Sequence, residues 1–216
     1  MSTKVFIADD HSIVREGIKT ILERSDKFIE VVGEAENGRE VIAFAEKHRA
    51  DVYILDISMP FLNGLETAER LRKISPDCKI IILSMYDNRT SVEKAFSARV
   101  NGYLIKESAI DEIVHAVQEV QLGRFFLSPG ISNYVVEGFL DSKSRRKSKT
   151  VVDLTSKEKE IIQLLAEGFS SKEIAMQLHT SFNTVNVHKK NIMQKLCFHK
   201  SAELVRYAIK EGISKL

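Results

Sequence analysis

The chain has 216 residues, 44% of them hydrophobic and 29% charged, with a formal net charge of +2. This is the composition of a water-soluble globular protein of one large or two modest domains, and it excludes a disordered tail protein or a collagen-like fibre. No apolar run approaches the ~20 residues that span a bilayer, and the N-terminal stretch meets Asp9-Asp10 too soon for a signal peptide, so a cytoplasmic protein is expected.

The charge is unevenly spread. Residues 141–216 carry 15 Lys and Arg against 8 Asp and Glu, a net +7, which leaves −5 for residues 1–140. An acidic front and a basic rear predict two domains with different partners. The two cysteines, Cys78 and Cys197, lack metal-ligand spacing and are expected as reduced, buried or half-buried thiols.

In chain order, short runs rich in Val and Ile predict buried strands at 4–8, 29–33, 51–55, 79–83 and 102–105. Helical spacing fills the intervals. Ile13, Gly17, Ile18, Ile21 and Leu22 mark the first helix; Val41, Ile42 and Ala45 the second; Leu65, Ala68, Leu71 and Arg72 the third. Val92, Ala95 and Phe96 mark a fourth, and Ile113, Ala116, Val117 and Val120 a fifth. Five strands, each followed by a helix, predict a doubly wound α/β domain with a five-stranded parallel sheet covered on both faces.

The strand ends carry the chemistry. The first run closes on Asp9-Asp10, the third on Asp56, the fourth on Ser84 and the fifth on Lys106. Carboxyl ends of parallel strands share one edge, where ligands bind. Three carboxylates crowded there repel one another, and a divalent cation relieves the conflict. All-oxygen ligands with few protein contacts suit Mg²⁺. A carboxylate can attack phosphorus, and Asp56, closing the central run, is the best-placed nucleophile. Asp9 and Asp10 are the metal-side acids. Lys106 neutralises phosphoryl oxygens and Ser84 donates a hydrogen bond.

Residues 4–122 resemble the receiver domain of bacterial two-component response regulators. The matching motifs are Asp9-Asp10-His11, Asp56-Ile57-Ser58-Met59-Pro60 with Gly64, Ser84, and Gly102-Tyr103-Leu104-Ile105-Lys106. The resemblance implies a flavodoxin-like strand order 2-1-3-4-5 and Asp56 as phosphoacceptor. It implies metal binding by Asp10, Asp56 and the main-chain carbonyl of Ser58, assisted by Asp9, and a switch pair of Ser84 and Tyr103. Arg99 and Val100 depart from the small residues many relatives carry before the last strand, which puts the loop into that strand in question. Glu107 follows Lys106 where many receivers have proline.

Residues 125–150 are expected to be a linker. Ile131, Tyr134, Val135 and Phe139 suggest a short amphipathic helix, and residues 141–150 a basic tether. Beyond it the pattern is all-helical. Thr155 to Glu158 and Ser170 to Glu173 are capping boxes, each opening a helix. Gly168 closes the first of these, Ser181 opens a third running to Leu196, and Ala202, Leu204, Val205 and Ala208 mark a fourth. The middle pair with its tight connection is a helix-turn-helix pattern.

At 100° per residue, His188, Ile192 and Leu196 fall on the same side of the third helix as Val185, whereas Asn183, Asn186, Val187, Lys190 and Gln194 fall on the other. Amides, a lysine and a valine suit the edges of bases in a major groove. Lys172, Lys189 and Lys195 flank that face and can hold phosphates. Residues 151–214 resemble LuxR-type helix-turn-helix domains through Leu154-Thr155, Glu158, Glu160, Ala166-Glu167-Gly168, Lys172-Glu173-Ile174-Ala175, Thr184-Val185, His188 and Lys195-Leu196. The resemblance adds Thr184 to the DNA-contact set and places the base readers after Thr184-Val185.

The whole chain resembles the NarL/FixJ group, with a receiver at 1–124, a linker at 125–150 and the DNA-binding domain at 151–216. The resemblance implies a phosphorylation-controlled transcription regulator that is not an enzyme apart from its own phosphoryl transfer and dephosphorylation. Its implied partners are a sensor histidine kinase, double-stranded promoter DNA and a second copy of the chain, with RNA polymerase an open further partner. Two other classes stay on the table. A phosphatase using an aspartyl phosphate needs a second acid two residues beyond the nucleophile, where Ser58 stands. A phosphorylation-independent regulator would suit an eroded pocket, and every pocket residue is present.

Overall fold

A computed structural model describes residues 2–25, 27–85, 89–131 and 154–214, in two compact units. The first is a parallel sheet of β1 (Thr3–Ala8), β2 (Ile29–Ala35), β3 (Val52–Asp56), β4 (Lys79–Ser84), β5 (Gly102–Ile105) and β6 (Phe126–Leu127), in the order β2-β1-β3-β4-β5-β6. Helices α1 (Ser12–Ser25), α2 (Gly38–Ala45), α3 (Gly64–Ile74), α4 (Arg89–Ser97) and α5 (Ala109–Gln121) connect the strands.

Strand alternation sorts the core into two layers. Val5, Ile7, Val52, Ile54, Ile81, Leu83 and Leu104 face one way, onto Ile18 and Leu22 of α1 and Ile113, Ala116, Val117 and Val120 of α5. Phe6, Ala8, Tyr53, Leu55, Ile80, Ile82 and Tyr103 face the other way, onto Val41 of α2, Ala68 and Leu71 of α3 and Val92 and Ala95 of α4. Strands buried on both faces read as continuous apolar runs, which is why they were legible.

Four expectations need correction. The sheet has six strands, not five. Phe126–Leu127, assigned to the linker, pairs in parallel with β5. A strand of two residues has no periodicity to read. Its anchorage is by main chain, with Phe126 N–H donating to Asn101 O at 3.1 Å and Ser128 N–H to Tyr103 O at 3.0 Å. Second, Ile131 sits in a 3₁₀ turn (Pro129–Ile131) and is fully buried in the receiver core, so the receiver extends past residue 124. The rest of the expected linker helix and the tether at 141–150 lie outside the described residues. Third, Ile13 is 87% exposed; at 100° per residue it stands on the opposite side of α1 from Leu22, and Val14 packs with Ile18 and Leu22 on the sheet instead. Fourth, Cys197 is exposed, whereas Cys78 is buried and its thiol is pushed up by burial.

The Arg99-Val100 departure is absorbed locally. Arg99 takes a left-handed φ of 56° and is exposed, while Val100 turns into the core. The Arg99 carbonyl accepts from Arg72 Nε at 3.0 Å and Nη2 at 2.6 Å, so α3 braces the loop entering β5.

The second unit comprises α6 (Ser156–Ala166), α7 (Ser171–Gln177), α8 (Phe182–Lys195) and α9 (Ser201–Lys210). Ile161, Ile162, Leu164, Ile174, Val185, Ile192, Leu204 and Ala208 form its core. Both capping boxes are made: Thr155 N–H donates to Glu158 Oε2 at 2.8 Å, and Ser170 N–H to Glu173 Oε2 at 2.8 Å. Gly168 follows the C-cap of α6 with φ +92°, the left-handed turn a side chain disfavours.

Candidate functional site

The sheet delivers the polar strand ends to one edge through its register. Asp56 pairs with Leu83 and Ser84 with Ile105. Ile57 N–H donates to Leu83 O at 3.0 Å, and Lys106 N–H to Ser84 O at 2.8 Å. Asp56, Ser84 and Lys106 therefore stand side by side at the ends of three adjacent strands. Asp9 follows β1 directly, its N–H donating to Ala35 O at 3.1 Å.

The charges then meet. Lys106 Nζ lies 2.5 Å from Asp9 Oδ2 and 3.1 Å from Asp56 Oδ1, all three side chains being nearly or wholly buried. One ammonium between two carboxylates leaves a net negative charge in a low-dielectric site, which favours a further cation. Ligand atoms of Asp9, Asp10, His11 and Asp56 all lie within 4.8 Å of one another. Asp10 and His11 are partly open to solvent, so the cluster has an entry side. His11, the third residue of the Asp9-Asp10-His11 motif, belongs to this cluster. Its N–H donates to Asp9 Oδ1 at 2.9 Å, and its Nδ1 lies 3.1 Å from Asp9 Oδ1 and 2.8 Å from Asp10 Oδ1. The donor set fits a metal ion. Its three carboxylates suit a hard divalent cation.

Around this pocket, Ser58 is half-buried two residues beyond Asp56, Ser84 is buried and Tyr103 is wholly buried. Tyr103 packs among the core residues under α4, turned inward. Gly64 opens α3 against the main chain of Asp56. A Cβ there would come 2.2 Å from Asp56 O, and Gly64 N–H donates to Ile57 O at 2.9 Å.

In the second unit, Lys172, Thr184, Asn186, Val187, Lys190 and Gln194 are exposed and Lys189 is half-buried, while Val185 and Ile192 point inward. Ser181 Oγ caps α8 by accepting from Thr184 N–H at 3.0 Å, with Thr184 Oγ1 at 2.8 Å. Lys195 is exposed at the end of α8. Its Nζ pairs with Glu158 Oε2 at 2.7 Å, tying the end of α8 to the start of α6. Burial pushes the Glu158 carboxyl up, but hydrogen bonds from Lys195 and Thr155 outweigh that and hold it below its ordinary value. Sequence spacing predicts the face a lysine occupies, not an acid 37 positions away.

A carboxylate pocket at the C-terminal edge of a parallel sheet, in one chain with a helix-turn-helix unit, defines a receiver coupled to a DNA-binding output. The family model of the response regulator receiver domain matches residues 5–118, and that of the bacterial regulatory proteins, luxR family, matches residues 152–208. The oxygen regulatory protein NreC of Staphylococcus carnosus (strain TM300) is 36% identical over 214 residues, 97% of this chain and 98% of that protein. The transcriptional regulatory protein DegU of Brevibacillus brevis is 32% identical over 226 residues, 99% and 95% of the two chains. RcsB of Salmonella enterica serovar Typhimurium, solved bound to a promoter with the phosphomimetic BeF3⁻, matches with a TM-score of 0.63 at 29% identity, over 99% of this chain and all of that one. The chain belongs to the response regulators of the NarL/FixJ group. It is a DNA-binding transcription regulator under phosphorylation control. Among the described residues, no helix is long and apolar enough to cross a membrane.

Proposed function

We propose that Asp56 is the phosphoacceptor and that a sensor histidine kinase is the donor. A carboxylate oxygen of Asp56 attacks phosphorus, the bond from phosphorus to the kinase imidazole nitrogen breaks, and the imidazole leaves with that electron pair. Lys106, already against Asp56, contacts the phosphoryl oxygens and offsets their charge. Asp9, Asp10, Asp56 and the Ser58 main-chain carbonyl hold Mg²⁺, which supplies further positive charge to the phosphoryl oxygens. Ser84 donates a hydrogen bond to the phosphoryl group, and the inward, buried Tyr103 is the arrangement that accompanies it, the receiver shifting between this state and one with Tyr103 turned outward. The same pocket positions water for the chain's own dephosphorylation.

The favoured state pairs two copies of the chain in the cytoplasm on paired DNA half-sites. Asn186, Val187, Lys190 and Gln194 read the major groove beside Thr184, while Lys172 and Lys189 hold phosphates. Lys195, exposed beside them, holds a phosphate while its ammonium also pairs with Glu158. RNA polymerase is the natural recipient of the bound regulator's effect on transcription.

The observation that carries this reading is the Lys106 bridge between Asp9 and Asp56, since it gathers nucleophile, cation and metal-side acid at one point. The test is labelling with acetyl phosphate in Mg²⁺. Asp56→Asn should abolish label. Label persisting on the peptide that contains residue 56 would overturn the assignment.

A further inference from the structure

We infer that Arg15 is a positioning residue for the acidic cluster, a clamp that fixes the Asp9–Asp10 peptide and through it the direction of Asp10. This rests on the reading of that cluster as a metal-binding phosphoacceptor site.

Arg15 lies on α1, one turn beyond the Asp-Asp pair, and its side chain is only 12% exposed. Nη1 donates to the main-chain carbonyl of Asp9 at 2.6 Å. Nη2 donates to Glu36 Oε1 at 2.9 Å, and Nε lies 3.7 Å from Glu34 Oε2. Glu34 is held in turn by Lys19 Nζ at 2.8 Å. The guanidinium thus spans from the end of β2 to the end of β1, its planar fork fixed at both ends.

The bond to Asp9 is the informative one. The Asp9 carbonyl belongs to the peptide joining Asp9 to Asp10, and that peptide is planar. Asp9 N–H is already fixed by Ala35, and Asp9 Oδ1 by His11 N–H. Fixing the carbonyl as well leaves the peptide plane no freedom, so the Cα of Asp10 and the cone its carboxylate can sweep are set. Without Arg15 that carbonyl can rotate toward solvent, and Asp10, the more open of the three acids, loses its aim. A mere packing role explains less. α1 is already seated by Ile18 and Leu22, which are almost wholly buried against the sheet. A guanidinium is not needed to hold it. Groups that orient metal ligands through a hydrogen bond typically change metal affinity by about tenfold or more when removed.

The test measures binding of Mn²⁺, a spectroscopic stand-in for Mg²⁺, to the full chain by electron paramagnetic resonance of the free ion. Arg15→Ala should weaken binding by about tenfold. Arg15→Lys, which keeps the charge but cannot bridge both acceptors, should fall between. With acetyl phosphate, the Mg²⁺ concentration giving half-maximal rate should rise by the same factor, while the rate at saturating Mg²⁺ returns to within about twofold of wild type. Unchanged Mn²⁺ affinity in folded Arg15→Ala would overturn the inference, even if its thermal midpoint falls. If Arg15→Ala does not fold, Glu36→Gln loosens the clamp at its far end without touching Asp9. It should weaken Mn²⁺ binding about twofold, and unchanged affinity there overturns the inference equally. Wild-type protein that binds no Mn²⁺ would instead defeat the reading of the cluster itself.

Discussion

Gly64 is the smallest residue with the largest say over Asp56. Any side chain there enters the space of the Asp56 carbonyl oxygen, a backbone atom that cannot swing aside. Gly64→Ala must push the start of α3 away from the end of β3, and overpacking of this kind costs about 1–3 kcal/mol. Urea unfolding should show that loss, and labelling by acetyl phosphate should slow because the strand end that carries Asp56, the proposed phosphoacceptor, moves. Wild-type stability and rate in the variant would mean that α3 shifts freely. The sequence showed Gly64 as a motif residue but not its reason, because close approach of two backbones has no signature in composition. Lys106, Asp9 and Asp56 were legible for the opposite cause: each closes an apolar run, and parallel strands bring such closures to one edge.

At the level of elements, the helix starts of the rear unit were readable because their hydrogen bonds are local: Ser170 and Glu173 lie three positions apart and satisfy each other's main chain. The tie from Lys195 to Glu158 was not, being tertiary. It gives an acid-dependent stability of known sign. The folded Glu158 carboxyl titrates below its ordinary 4.5, so its contribution is complete above that pH and is lost as pH falls through the lower folded value. Lys195→Met should lower the melting temperature of the helical unit at pH 7 and flatten its decline between pH 5 and 3, since much of the shift disappears with the lysine. An equally steep decline would place the acid sensitivity elsewhere. β6 invites a parallel measurement. Ser128 Oγ accepts from Ile105 N–H at 3.1 Å and donates to Glu112, pinning the short strand to the end of β5 and the start of α5. Ser128→Ala strands a main-chain donor at a cost of about 1–3 kcal/mol. Amide exchange at Phe126 and Ser128 should accelerate by roughly tenfold or more, whereas unchanged exchange would mean the two ladder bonds alone hold the strand.

For the molecule as a whole, the division of charge assigns the work. The acidic front concentrates its carboxylates where a cation is needed, and a net negative surface gains nothing from DNA. The basic rear is drawn to a phosphate backbone, and each phosphate it neutralises adds about 0.9 to the salt dependence of binding. Lys190, exposed on α8 beside Asn186 and Val187, is where affinity and salt dependence can be separated. The two units have their own hydrophobic cores, so Lys190→Ala should leave acetyl phosphate labelling at the wild-type rate while weakening promoter binding about tenfold. If Lys190 meets a phosphate, the slope of log affinity against log salt becomes shallower by about 0.9 and every DNA sequence loses alike. If it meets a guanine edge, the loss of about 1–3 kcal/mol falls on the preferred sequence and relaxes selectivity at one base pair. Gel shifts across a salt series, on the preferred and a scrambled site, distinguish the two. Wild-type affinity on both would remove Lys190 from the contact set.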